Sequence, residues 1–244
     1  MNKKLTIVIP CKNEAKYIEQ TLDSINQQIG VNDVDVIVAD ARSDDGTLDI
    51  LKAYKKNEST KFKLHIINGG PVAVGRNRGA SFIKRDYIVF IDADVTLPSK
   101  TTLWMTYSLL EGSTDGSLPK FDLVTCDFES RSNSLLSKIA FKLFNQVRSK
   151  FMKEPFAVGA YFATSRKTFE AHGRFDETVM HTEDYLLSRK YDPKKFAIIK
   201  SVMATQDDRR FKKMGYLKFL WMLVTNYINR NNINHYRKDI KYWS

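Results

Sequence analysis

Residues 86–98 read DYIVFIDADVTLP. Tyr87, Ile88, Val89, Phe90 and Ile91 form an unbroken β-prone apolar run, and Asp92 and Asp94 follow at once with only Ala93 between them. An apolar run of this length bounded by charge reads as a strand buried on both faces. Two carboxylates one residue apart repel each other unless a cation lies close by. A hard divalent metal would supply that charge and leave coordination positions open for phosphate oxygens. Helix capping is the plainer alternative, but Val95, Thr96, Leu97 and Pro98 make a poor helix start.

The elements before this strand repeat one pattern. KLTIVIP reads as a strand, CKNE as a loop, and AKYIEQTLDSINQQ as a helix with Tyr17, Ile18, Leu22 and Ile25 on one face. VDVIVAD is a second strand ending at Asp40. ARSDDGT is a turn in which Asp45 or Thr47 can cap the helix LDILKAYKKN. KFKLHIING is a third strand, and PVAVGRNRGASFIK is a glycine-containing loop and helix. Strands apolar on both faces, alternating with helices, predict an α/β fold: a three-layer α/β/α sandwich around a mainly parallel, mixed, Rossmann-like sheet. Ligands of such sheets lie beyond the carboxyl ends of the strands, where Asp40, Asp92 and Asp94 fall.

The 244 residues suffice for one large domain or two small ones. Cys11 and Cys126 form no disulfide framework and no metal-ligand spacing, which suits a reducing compartment. The N-terminal apolar run is broken at Pro10, below signal-peptide length. The apolar stretch YLKFLWMLVTNYI is too short to cross a bilayer. The expectation is a cytoplasmic protein, either free or peripheral on the inner face of a membrane.

At this point several segments, taken in order, resemble the family 2 glycosyltransferases, whose fold is the nucleotide-diphospho-sugar transferase or GT-A type. TIVIPCKNEAKYIEQTLDSI is similar to that family's opening strand, P-x-x-N-E loop and first helix. VIVADARSDDGTLDIL, GRNRGASFIKRDYIVFIDAD, GAYFATSRKTFEAHGRFDE and HTEDYLLSRK resemble its later segments. The resemblance implies a catalytic domain over residues 1–205, with a nucleotide-binding half over 1–97 and an acceptor-binding half over 98–205. Residues 206–244 would form a basic, aromatic-rich helical extension.

It also implies roles. Asp40 would bind the base of a nucleoside-diphosphate sugar, with UDP the first expectation because a carboxylate can accept from a uracil N–H. Pro10, Cys11, Asn13 and Glu14 would line the nucleoside. Arg76 would contact base or phosphate, with an internal ion pair as its alternative. Asp92 and Ala93 would face the donor, and Asp94 would ligate Mg²⁺ or Mn²⁺ across the diphosphate. Asp184 would be the base that takes a proton from the acceptor hydroxyl, giving inversion, with Glu183 the less favoured base. Gly159, Glu183, Arg209 and Arg210 are candidates for contacts to the acceptor or the diphosphate. The acceptor would be a glycan or a lipid-linked species. His181, near Asp184, is the best placed of the histidines to be a ligand.

Two departures from the family pattern stand out. Arg174 occupies the second glycine position of G-G-F-D-E, and QDDRRF only partly resembles the Q-x-x-R-W of processive synthases. A sugar-phosphate nucleotidyltransferase shares the fold, but its first loop should be glycine-rich, and here it is PCKNE. A non-catalytic sugar-nucleotide-binding protein is expected to lack Asp94 or Asp184.

The net charge is +11. Residues 131–153 hold six Lys/Arg and no acid, and residues 209–244 hold nine against Asp239 alone. A basic excess implies an anionic partner. Nucleic acid is not expected, because no helix-turn-helix, zinc or RNP-like pattern is present. In SLLSKIAFKLFNQVRSKF, Leu136, Ile139, Leu143, Val147 and Phe151 recur at helical steps among Lys138, Lys142, Arg148 and Lys150. This predicts an amphipathic helix, fit for an anionic membrane surface or for packing on the sheet.

Overall fold

The computed structural model describes residues 4–32, 34–151, 153–207 and 214–238. Its first four strands are β1 (Leu5–Cys11), β2 (Asp35–Asp40), β3 (Lys63–Asn68) and β4 (Tyr87–Ile91). They alternate with helices α1 (Ile18–Asn26), α2 (Thr47–Lys56) and α3 (Val72–Phe82). The short β5 (Val95–Thr96) is followed by α4 (Thr102–Glu111), β6 (Leu123–Ser130) and α5 (Leu135–Gln146), which runs into one π-helical turn at Val147–Phe151. Next come β7 (Tyr161–Ser165), α6 (Arg166–Ala171), α7 (Glu183–Ser188) and β8 (Phe196–Gln206). A C-terminal helix, Tyr216–Ile228, and a last turn, Ile233–Tyr236, complete the chain.

One sheet runs through the molecule in the order β3-β2-β1-β4-β7-β6-β8-β5. β1, β2, β3 and β4 pair in parallel, with Cys11 opposite Asp40 and Asp40 opposite Asn68. Beyond β4 the sheet is mixed. β7 is antiparallel to both β4 and β6, β6 is parallel to β8, and β5 is antiparallel to β8. The predicted three-layer, mainly parallel sheet is therefore what forms.

Side-chain alternation along β1 divides the core into two layers. Leu5, Ile7 and Ile9 face one layer, where Ile18, Leu22 and Ile25 of α1, Leu51 of α2 and Leu103 and Leu110 of α4 cover them. Val8 faces the other layer with Ala73 and Ala80 of α3, Phe90, Phe162, Phe169 and Phe175. There α3 comes so close that a Cβ on Gly79 would lie 2.3 Å from a methyl of Val8. This fixes the helix against the strand that leads to the Pro10–Glu14 loop.

The antiparallel β5–β8 pair matters most for the site. It sets Val95 opposite Gln206 and Thr96 opposite Thr205. The strand following Asp94 is thereby joined to the end of β8, more than a hundred residues later in sequence. Ser130 of β6 also pairs with Gln206, whose carbonyl accepts from Arg131 N at 2.9 Å.

Candidate active site

Because β1, β2 and β4 are parallel, Cys11, Asp40 and Asp92 emerge at the same edge of the sheet. The two loops at the β1 and β2 ends are tied to each other. Asn13, in a left-handed conformation at φ 54, donates its N–H to Ser43 Oγ at 2.9 Å and accepts from Asp44 N at 3.1 Å. Glu14 N donates to Thr47 Oγ1, and Ala15 N to Asp45. Asp45 also accepts from Thr47 N, so it steadies the start of α2 from outside the helix, while Gly46 holds the N-cap position. Asp40 is buried, and its carboxylate closes a turn by accepting from Ser43 N at 3.0 Å and Ser43 Oγ at 2.5 Å. Each carboxylate oxygen keeps a second lone pair for a ligand N–H. Pro10 sits opposite Ala39 in the parallel ladder, and both lie under Gly75 of α3. Cys11 is buried, and burial pushes its thiol well above the usual range.

A second cluster gathers Arg76, Asp92, Gly159, Glu183 and Asp184. Arg76 projects from α3 and is 1% exposed. It donates through Nη2 to Asp92 Oδ1 at 2.7 Å and through Nη1 to Glu183 Oε1. Its guanidinium also lies 5.3 Å from the centre of the Phe175 ring. The structure thus shows the internal ion pair for Arg76. Glu183 is the buried partner of Arg76 in this arrangement.

Asp184, the next residue, is differently placed. Gly159 N donates to its Oδ2 at 2.6 Å and Tyr185 N to its Oδ1 at 2.7 Å, while the side chain stays only half-buried. Thr182 at the N-cap of α7 is left-handed, φ 65. Burial pushes the Glu183 carboxyl up to about 6, against the lowering effect of Arg76. Burial raises Asp184 too, again opposed by Arg76 and by its two backbone N–H donors. Gly159 is the slot for Arg76, since a Cβ there would lie 1.8 Å from Nη2.

Asp94 is buried beside this cluster, and its carbonyl accepts from Arg131 Nη2 at 2.9 Å. The Ala93 carbonyl accepts from Thr21 Oγ1 at 2.8 Å. Arg131 stacks on the Tyr17 ring at 5.0 Å, and the Tyr17 hydroxyl donates to Asp207 at 2.9 Å. Sequence reasoning missed Ser43, Arg131 and Asp207. A turn serine at Asp40+3 was available as a signal for the first. The other two depend on the β5–β8 pairing, which no local pattern announces. Arg209 and Arg210 lie outside the described residues.

Among the described residues no group of three or more His, Cys, Asp or Glu side chains could by itself hold a metal ion. His181 is buried, its Nδ1 lies 2.7 Å from Thr182 Oγ1, and burial lowers its pKa. It belongs to a brace between the C-terminal segment and the α7 turn. Asn226 Nδ2 donates to Thr182 Oγ1 at 3.2 Å, and Asn226 Oδ1 lies 2.9 Å from His235 Nε2. Met180 N donates to the Tyr236 carbonyl at 2.9 Å. Asn226→Ala removes the side-chain bonds to Thr182 and His235 and is expected to cost about 1–3 kcal/mol, read as a lower urea midpoint.

Arg174, at the position where the family pattern has glycine, takes the left-handed φ of 65 that glycine adopts without strain. Its side chain compensates by donating to the Asn77 carbonyl and to Ser81 Oγ, each at 2.5 Å.

A family model described as glycosyl transferase family 2 matches residues 6–173. The poly(ribitol-phosphate) beta-glucosyltransferase of Bacillus spizizenii is 36% identical over 120 residues, covering 48% of this chain and 19% of that protein. This chain therefore spans only a small part of that relative's length. Two solved structures share the fold. The mannosyltransferase PcManGT from Pyrobaculum calidifontis, in complex with GDP-Man and Mn²⁺, has a TM-score of 0.67 at 22% identity, over 90% of this chain and 64% of its own. S. aureus TarS 1–349, in complex with UDP-GlcNAc, has a TM-score of 0.60 at 18% identity, over 83% and 58%. With the family model covering most of the chain and the sheet order, layers and strand-end carboxylates in place, this protein belongs to glycosyl transferase family 2 and has the GT-A fold.

Proposed function

We propose that the protein moves a sugar from a nucleoside-diphosphate sugar, with UDP the first candidate, to an acceptor hydroxyl with inversion at the anomeric carbon. The observation that carries this reading is the division of labour between Glu183 and Asp184. Glu183 is neutralised by Arg76, which leaves Asp184 as a partly buried carboxylate held by two N–H groups. An alcohol is a poor nucleophile until its proton is removed, and a positioned carboxylate removes it as attack proceeds. The acceptor oxygen forms its bond to the anomeric carbon and the proton passes to Asp184. The bond from that carbon to the diphosphate oxygen breaks, and its electron pair leaves with the nucleoside diphosphate.

Asp40 and the Pro10–Glu14 loop are the base and nucleoside end of this site, and Asp92, Ala93 and Asp94 the diphosphate end. The side chains present fit a Mg²⁺ or Mn²⁺ that arrives with the donor. Such ions are commonly held by one or two carboxylates together with substrate phosphates, without a full protein cage. Asp94 would be the protein ligand, with Asp92 paired to Arg76. When bound, the metal offsets charge on the departing diphosphate.

Relatives that act on poly(ribitol-phosphate), or on an undecaprenol-diphosphate-linked glycan, support a cell-surface polymer or a lipid-linked glycan as acceptor. A lipid-linked acceptor would station the enzyme at the inner face of a membrane. Among the described residues no helix is long and apolar enough to cross one.

Thermal melts with UDP, GDP and dTDP, each with and without Mn²⁺, test the reading. One nucleotide is expected to stabilise the protein only when metal is present, by about 2.7 kcal/mol at a hundred times its Kd. Asp94→Ala should remove the metal-dependent part. An undiminished metal-dependent shift in that variant would overturn the assignment.

A further inference from the structure

The amphipathic helix expected from the sequence forms as α5, but its apolar stripe faces outward. Leu136, Ile139, Leu143 and Val147, at four- and three-residue steps, are 54%, 45%, 55% and 43% exposed. Leu135, at the first turn, is 73% exposed.

The opposite face already anchors the helix. Ser137 and Phe141 are buried there. Asn145 donates to the Phe128 carbonyl at 2.8 Å and accepts from Phe128 N at 3.1 Å. Arg148, which the sequence sets among the basic residues of this stretch, is buried. It donates to the Cys126 carbonyl at 2.6 Å and lies over the Phe128 ring at 4.9 Å. The stripe is thus separate from the face by which the helix packs on the sheet. Monomeric proteins rarely leave a contiguous run of large apolar side chains in water, and such a run marks an interaction surface.

Charge selects the occupant. Lys138 and Lys142 are exposed on the flank of the stripe, and α5 contains no acid. A second copy of the chain would bring the same lysine-flanked, acid-free strip against itself. An anionic lipid surface complements it. A helix lying in the plane of a bilayer interface buries its apolar ridge at the headgroup boundary and extends its lysines to the phosphates. The C-terminal helix repeats the pattern, with Trp221, Val224 and Ile228 at 66%, 42% and 67% exposure and Lys218 exposed among them. It holds no acid either, and aromatic side chains such as Trp221 suit headgroup depth.

We infer that the outward ridge of α5 docks the protein on an anionic membrane surface. The inference stands apart from the sugar-transfer chemistry, because none of these side chains belongs to the site.

Co-sedimentation of the full chain with vesicles tests it, using phosphatidylcholine alone and phosphatidylcholine mixed with phosphatidylglycerol. The protein should pellet with the anionic vesicles and be released as salt rises. Leu136→Gln with Leu143→Gln should cut partitioning at least about tenfold, since two apolar anchors are lost. Lys138→Gln with Lys142→Gln should cut it roughly thirtyfold. All four positions are exposed and glutamine is a good helix former, so both pairs should melt like the parent. Pelleting no greater with anionic vesicles than without vesicles would overturn the inference. So would a dimer, seen by sedimentation velocity, that the leucine pair dissociates while vesicle binding is absent.

Discussion

Replacing Asp184 with Asn is expected to lower kcat on the order of a hundredfold or more, with the affinity for donor retained. The substitution removes proton acceptance and keeps the shape. It is not fully silent in structure, because Gly159 N and Tyr185 N each donate to one carboxylate oxygen. An asparagine can accept only one of them through its carbonyl and must turn its NH₂ toward the other. A stability loss of about 1–3 kcal/mol is therefore expected alongside the kinetic one. The two effects separate if kcat is measured well below the melting temperature and donor affinity is measured by calorimetry. Turnover near that of the parent would move the base elsewhere.

The pH dependence adds a readout that a purely structural role would not move. Glu183 and Asp184 are adjacent, buried to different extents and both raised, so they titrate as a pair. A base must be ionised, so activity should fall as pH drops through a limb lying above the ordinary carboxylate range. Stability runs the other way for Glu183. Its carboxyl stands at about 6 when folded, against an ordinary 4.5. Its favourable contribution is therefore full below the unfolded value and is lost as pH rises through about 6. Between those values activity should climb while this part of the stability declines. In Asp184→Asn the acid limb of kcat should vanish or shift, whereas the stability slope from Glu183 should persist.

The nucleotide end of the site was readable because it is local. Each β-strand is followed within a few residues by the polar group it positions, as Ile91 is by Asp92 and Ala39 by Asp40. Strand periodicity and the rule about carboxyl ends then suffice. The rest depended on pairing distant in sequence. Nothing near Arg131 or Asp207 shows that both will stand beside Tyr17. That follows only from β8 running between β6 and β5. The outward turn of α5 was hidden for a related reason. Its stripe has the right period for a core face, and only the burial of Phe141 and Arg148 on the other side shows which face the sheet took. Arg148 lies in a basic run, where an arginine is normally a surface cation. Here it is held by a carbonyl and two rings, a setting that composition cannot reveal.

Gly159→Ala is expected to be among the most damaging single-methyl additions in the protein. The new Cβ would fall 1.8 Å from Arg76 Nη2 and 2.4 Å from Cζ, far inside van der Waals contact. A surface arginine would swing away, but this one is closed in. Its Nη groups are held by Asp92 and Glu183, and Phe175 packs against the guanidinium. Any shift of the guanidinium breaks at least one buried ion pair, and removing a partner from such a pair costs about 3–5 kcal/mol. Movement of the Gly159 segment instead would pull its N–H away from Asp184 and misalign the base, with a loss of turnover on the order of a hundredfold. A double-mutant cycle distinguishes this clash from a general intolerance of the loop. Arg76→Met alone leaves Asp92 and Glu183 facing each other without a cation and should destabilise strongly at neutral pH, recovering in part as acid protonates Glu183. Combined with Gly159→Ala it should cost little more than Arg76→Met alone, because the group that the methyl strikes is gone. Urea midpoints for the parent, the two single variants and the double variant supply the test. Additive losses would show that Gly159 and Arg76 act independently. A Gly159→Ala protein within about 0.5 kcal/mol of the parent would show that the pocket around the guanidinium yields at little cost.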